Sequence, residues 1–231
     1  MMKNKLLVWD FPVRFFHWSL VISLFAAWYT SDGERNLISY HLQIGYFILG
    51  LIIFRIIWGV FGTKYAKFTQ FIPHPRAVIN YLKEFRQEKE YITVGHNALG
   101  GLMVVFMLTL VLLQAISGLF MNDDVFTAGP YYEKASRTIQ GIMSLIHHNV
   151  FDLILIVSAL HIGAILYYLL AKKVNLIIPM ITGYKTSNDV QSNKGIKSSK
   201  LLLALVIILG IVVFLYWLLV LNIPVEEEFY F

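Results

Sequence analysis

Five stretches of the chain are apolar for long enough to cross a hydrocarbon layer, and the polar residues inside them are the informative ones. The expected spans cover residues 15–30, 40–61, 99–121, 147–170 and 201–221. Between the first two lies the short turn SDGERN. A polar segment over residues 62–94 follows, in which PRAVINYLKEFRQEKE, with Pro75 at its start, predicts an amphipathic helix lying on the membrane surface. Residues 122–146 form a loop containing AGPYY and a predicted short amphipathic helix of its own, and residues 172–200 a basic linker. Beyond the fifth span the chain ends in the acidic, aromatic run IPVEEEFYF. The expected division is a membrane bundle over 1–185 and a linker, fifth helix and tail over 186–231.

The fourth stretch, HHNVFDLILIVSALHIGAILYYLL, organises the others. His147 and His161 are fourteen residues apart. At about 100° per residue that separation falls about 40° short of four turns, so both lie on one helix face, roughly 21 Å apart along the axis. The first span carries His17 one turn inside the membrane, behind Pro12 and an interfacial Arg14; the second opens with His41 and contains Arg55, again fourteen residues on.

Composition narrows the class. Of 231 residues, 58% are hydrophobic and 14% charged, against about 25% charged in a soluble domain, so the chain reads as an all-α integral membrane protein. Lys3 and Lys5 precede the first span as in a signal peptide, but Arg14 and His17 interrupt it and no small-residue cleavage site is clear, so it reads as a retained span. With no cysteine, disulfides, thiolate zinc, iron–sulfur clusters and covalently attached c-type haem are excluded. The net charge of +5 belongs to loops flanking spans and gives no reason to invoke nucleic acid. Lys and Arg number three, six and six in the N-terminus, the 62–94 segment and the linker, against one and two in the intervening loops. The expected orientation is therefore N-terminus cytoplasmic and C-terminus outside.

That orientation sorts the histidines by depth. His41 and His147 share the outer level; His17 and His161 share the cytoplasmic one, with Arg55 beside them. A lone histidine at a helix start is ordinarily an interfacial residue, but two at this spacing, each with a mate at its own depth, point to two stacked ligand pairs. Two histidines without a carboxylate or thiolate make a poor zinc site, and bis-histidine, non-covalent haem b fits best, with two per chain. A charged residue inside a span needs a partner, and haem propionates suit Arg55. Gly45, one turn from His41, would let a porphyrin approach the backbone. His148 reads as interfacial, His74 as a loop residue, and Asp152 and Gln114 as interfacial or packing residues. His96 stands before the third span, where it either touches a propionate or quinone or simply opens the helix. Phe15, Phe16, Trp18, Trp28 and Trp58 read as lipid belt and core.

RFFHW, the run from HLQIG to FRIIWGVFG, VGHNALGGLMVVFMLTLVLLQAISGLF, DDVFTAGP and the histidine span followed by MITGYK, in this order, closely resemble the prokaryotic cytochrome b561 family, which includes b-type cytochrome subunits of nickel hydrogenases. The resemblance covers roughly residues 8–185. It implies a four-helix di-haem bundle with His17, His41, His147 and His161 as iron ligands, and electron transfer in a bacterial inner membrane between the quinone pool and a partner such as a periplasmic c-type cytochrome or a hydrogenase. No catalytic residue beyond these is assigned. The fifth span lies outside it. The rival expectation is a haem-containing anchor or assembly subunit without quinone chemistry; a transporter is disfavoured by scarce intramembrane carboxylates. Glu226, Glu227 and Glu228 are read as a solvated tail that can also steer a basic redox partner to the outer haem.

Overall fold

In the computed structural model, residues 5–32, 36–86, 94–123, 127–186 and 195–222 are described. A short strand β1 (Lys5–Leu7) leads into α1 (Phe11–Thr30), followed by α2 (Ile38–Phe61), the one-turn α3 (Phe68–Phe71), α4 (Pro75–Arg86), α5 (Ala98–Gly118), α6 (Arg137–Leu170), α7 (Ile177–Thr182), strand β2 (Tyr184–Thr186) and α8 (Leu201–Tyr216). A π-helical turn, Trp217–Leu221, continues α8. Five of these helices are long and apolar enough to cross a membrane. The chain is a multi-pass membrane protein.

The starts of α1, α5 and α6 follow capping chemistry. α1 starts four residues ahead of the expected span because the Asp10 carboxylate accepts from Val13 N at 2.7 Å, and Pro12 sits in the first turn, where its missing N–H is not needed. Asn97 caps α5 and Ser136 caps α6 in the same way. The separate amphipathic helix expected before the fourth span is not a separate element. Ser136 opens one uninterrupted 34-residue helix, so residues 137–146 are its first turns; neither proline nor glycine in a strained backbone breaks it. At 1.5 Å per residue, α6 is about 51 Å long and outruns a hydrocarbon core of about 30 Å.

α1 packs on α2, α2 on α5 and α5 on α6, with Phe16, Ile52, Trp58, Val111, Ile154 and Val157 in the shared core. Large apolar side chains such as Ile22, Phe25, Leu160 and Leu209 point outward, as a lipid solvent permits. Among the described residues, α6 makes no extensive backbone contact with α1 or α2, so its histidines face those of α1 and α2 across a gap. α8 lies against α2, burying Ala204 and Ile211.

One face of the assembly is knitted together by short elements. β1 pairs antiparallel with β2, Leu6 opposite Lys185, which ties the chain before α1 to the chain after α6. This strand pair was not anticipated from sequence. α3 lies tight beneath the same face. A Cβ on Gly59 would sit 2.1 Å from the Phe68 ring, and one on Gly101 would sit 2.1 Å from the Phe71 carbonyl oxygen. The amphipathic α4 forms where expected and is held by Tyr81, whose hydroxyl lies 2.6 Å from that of Tyr168 on α6 and accepts from Asn97 Nδ2 at 2.8 Å. We call this side, which carries most of the lysines, the basic face.

Asp10 joins these parts. It is 1% exposed and, besides capping α1, accepts from Trp58 Nε1 at 3.2 Å and from Thr63 Oγ1. Asp10→Ala should uncap α1 and strand two buried donors, lowering stability by about 3 kcal/mol. The thermal midpoint of the purified protein in detergent should fall accordingly, with Asp10→Asn falling less; an unchanged midpoint for the alanine variant would remove Asp10 from the framework.

Candidate functional site

The histidines form two groups separated by depth. At the face opposite the basic one, His41 begins α2 and His147 lies in α6, with ring centroids 6.3 Å apart and planes at 80°. Each ring is aimed by its Nδ1. His41 Nδ1–H donates to the Ala27 carbonyl of α1 at 2.8 Å, and His147 Nδ1–H to the Gln114 carbonyl of α5 at 3.1 Å. Ser117 Oγ lies 3.1 Å from His147 Nδ1 and donates to the same Gln114 carbonyl. A histidine that gives its Nδ1 proton to a carbonyl keeps a lone pair on Nε2 for a metal. Gly45 has open space where its Cβ would stand, whereas a Cβ on Gly118 would come within 3.1 Å of His147 Cε1. His148 is exposed and donates Nδ1–H to the Ser144 carbonyl.

At the basic face, His17 and His161 interact electrostatically across the gap between α1 and α6. His17 stacks edge-on against Trp18, with centroids 5.0 Å apart, and its Nδ1 is buried with no hydrogen-bond partner among the described residues. Arg55 is 3% exposed, and its guanidinium lies over Phe68 and Phe71 at 5.2 and 5.6 Å. Its Nη1 is likewise buried and unpartnered among the described residues. Asp10 supplies an opposing charge nearby. Arg14 is not a simple headgroup residue: Nη1 donates to the Ile181 carbonyl at the end of α7, while Nε is buried without a partner among the described residues.

Two further residues complete this group. His96 sits between Trp9 and Phe71, with centroids 4.7 and 4.8 Å away, within the electrostatic reach of Arg55, Lys185 and His161. Its Nδ1 is buried and unpartnered among the described residues. Lys185 on β2 donates to the Val94 carbonyl at 3.1 Å. No sequence periodicity pointed to Lys185, which the β1–β2 pairing brings inward. His74 remains a surface residue whose Nδ1 accepts from Arg76 N at 3.4 Å. Asp152 is exposed on α6, and the buried Gln114 Oε1 has no partner among the described residues. Glu226 to Glu228 lie outside the described residues. No cluster of three or more His, Cys, Asp or Glu suited to a metal occurs among the described residues, which leaves paired imidazoles as the metal-binding chemistry on hand.

The family model of prokaryotic cytochrome b561 matches residues 8–183, from just after β1 to just past the end of α7. The chain belongs to the prokaryotic cytochrome b561 family. A member of this family is a membrane b-type cytochrome that carries haem and takes part in electron transport. No curated protein and no solved structure matches the chain. α8 lies beyond the matched segment.

Burial pushes the His96 imidazole down to about 3, and the positive charges of Arg55, Lys185 and His161 act in the same direction. Burial also lowers the Lys185 ammonium. The sign for stability follows. Below the ordinary histidine value of 6.5 the unfolded chain binds a proton that the folded chain refuses, so stability held above pH 6.5 is lost as the pH falls toward 3. His96→Gln should flatten the fall in thermal midpoint across this window; parallel curves for variant and parent would mean water reaches the ring.

Proposed function

We propose that the chain is a di-haem b-type cytochrome, a four-helix bundle in which His41 and His147 ligate one iron and His17 and His161 the other. The observation that carries the reading is the His41 and His147 pair. With a metal–nitrogen bond of about 2 Å and roughly 1 Å more from nitrogen to ring centre, two imidazoles on one metal have centroids about 6 Å apart. The observed 6.3 Å fits, the Nδ1 bonds leave both Nε2 atoms free, and the open flank of Gly45 leaves room for a flat macrocycle. The separation of α6 from α1 and α2 supports the same use at both levels.

A b-type haem held by two histidines supplies a one-electron iron couple. The protein's part is to place two such couples one above the other and set their potentials. Ala27 and Gln114, through their carbonyls, hold the ligand rings in place and strengthen them as donors. Arg55, with His96 and Lys185 beside it, offers a buried positive end suited to the two carboxylates of a porphyrin, and the orphaned Arg55 Nη1 supports that role. Stacked about 21 Å apart along α6, the two sites suit electron passage across the membrane between the quinone pool and a redox partner, either a c-type cytochrome or a hydrogenase. The excess of Lys and Arg on the basic face supports its placement in the cytoplasm of a bacterial inner membrane.

Pyridine haemochrome assay should find two haems b per chain. His161→Ala should lower the count to one and keep the pair at the opposite face, whereas loss of both haems or of the other haem alone would break the assignment. Reduction of the remaining haem by a quinol tests the electron path.

Arg55→Leu removes a positive charge from a low-dielectric surround, which disfavours adding an electron. The midpoint potential of the basic-face haem should fall by on the order of 50 mV. Redox titration with both potentials unchanged would place Arg55 away from the haem.

A further inference from the structure

Two cavities outside the histidine sites lie along the seam between α2 and α8. The first, about 470 Å³, opens at the basic face and is lined by Thr63, Lys64, Lys67, Lys197, Ser198 and Lys200, with backbone from Gly62 and Gly195. The second, about 240 Å³, is apolar and lined by Ile53 and Ile57 of α2 and Ile207, Gly210, Ile211 and Phe214 of α8. Counting 1.5 Å per residue from the basic ends of both helices, the apolar groove runs from about 6 to about 20 Å below the basic cavity. Gly210 has open space where a Cβ would stand, and it and Phe214 are exposed toward lipid.

The four lysines do not all serve the fold. Lys200 does: it takes a left-handed backbone with φ of 49° at the start of α8, and its Nζ donates to the Phe61 and Gly62 carbonyls at 3.3 and 3.1 Å, closing the end of α2. Lys64 and Lys197 are exposed at the cavity rim, and Lys67 is half-buried. Their charges converge with the positive end of the α8 dipole. The Ser198 hydroxyl adds a donor suited to phosphate oxygens, whereas that of the buried Thr63 already donates to Asp10.

We propose that this seam is a binding site for one anionic phospholipid, with its phosphate among Lys64, Lys67 and Lys197 and one acyl chain in the groove floored by Gly210. Charge complementarity selects the anionic headgroup, and the apolar groove at acyl depth between the same two helices selects a lipid over a free phosphate. The site would fasten α8, which lies outside the family segment, to the rest of the protein.

The test is mass spectrometry of the intact haem-loaded protein released from neutral detergent, after addition of phosphatidylglycerol or phosphatidylcholine with identical acyl chains. Phosphatidylglycerol should be retained about tenfold better than phosphatidylcholine. Lys64→Gln/Lys67→Gln/Lys197→Gln should abolish that preference while haem content stays the same, and the milder Lys67→Gln/Lys197→Gln should reduce it. Gly210→Phe should weaken retention of both lipids by filling the groove. Equal retention of the two lipids by the parent protein would overturn the proposal. So would a preference that survives the lysine changes, or displacement of the bound lipid by inorganic phosphate at the lipid's own concentration, which would mark a free-phosphate site.

Discussion

In hydrocarbon no water stands ready to satisfy a polar atom, so an imidazole nitrogen placed there is costly unless the protein supplies a partner. The His41 bond to Ala27 O and the His147 bond to Gln114 O meet that need with backbone carbonyls from neighbouring helices. Each bond therefore does two jobs, fixing a tautomer and fixing a helix pair. α1 is joined to α2 through the first and α5 to α6 through the second. The spacing between α6 and its distant neighbours is left for whatever the rings hold.

The basic face solves a different problem, that of a buried cation. Arg55 rests on the Phe68 and Phe71 rings, an arrangement that stabilises a guanidinium without neutralising it. α3 supplies both rings and can approach only because Gly59 and Gly101 leave space. Asp10 adds an opposing charge while its oxygens are occupied by Val13, Trp58 and Thr63. The Arg55 Nη1 is nonetheless buried without a partner among the described residues, which supports the proposed contact with an anionic group from outside the chain.

Much of this was legible in the sequence because the signals are local. Span length, the fourteen-residue histidine spacing and the lysine asymmetry need only the helix repeat and the width of a bilayer, and the five long helices fall where the apolar runs stand. The extension of α6 back to Arg137 was not legible, because Ser136 caps a polar stretch whose helicity depends on the span that follows. No sequence signal marks the burial of Asp10, which comes from the return of Trp58 on α2 and of Thr63 just after it. Lys185 is brought toward Arg55 and His96 by a strand pair of three residues on each side, too short to leave a pattern. The His41 and His147 Nδ1 atoms donate to main-chain oxygens, which no side-chain motif encodes.

The uninterrupted α6 makes His147 and His161 two points on a single shaft. With neither proline nor strained glycine between them, a rotation of α6 about its own axis would carry both rings in the same sense. The two levels are mechanically geared. Whatever turns the helix acts on both histidines together, and no hinge in between lets one level yield while the other holds.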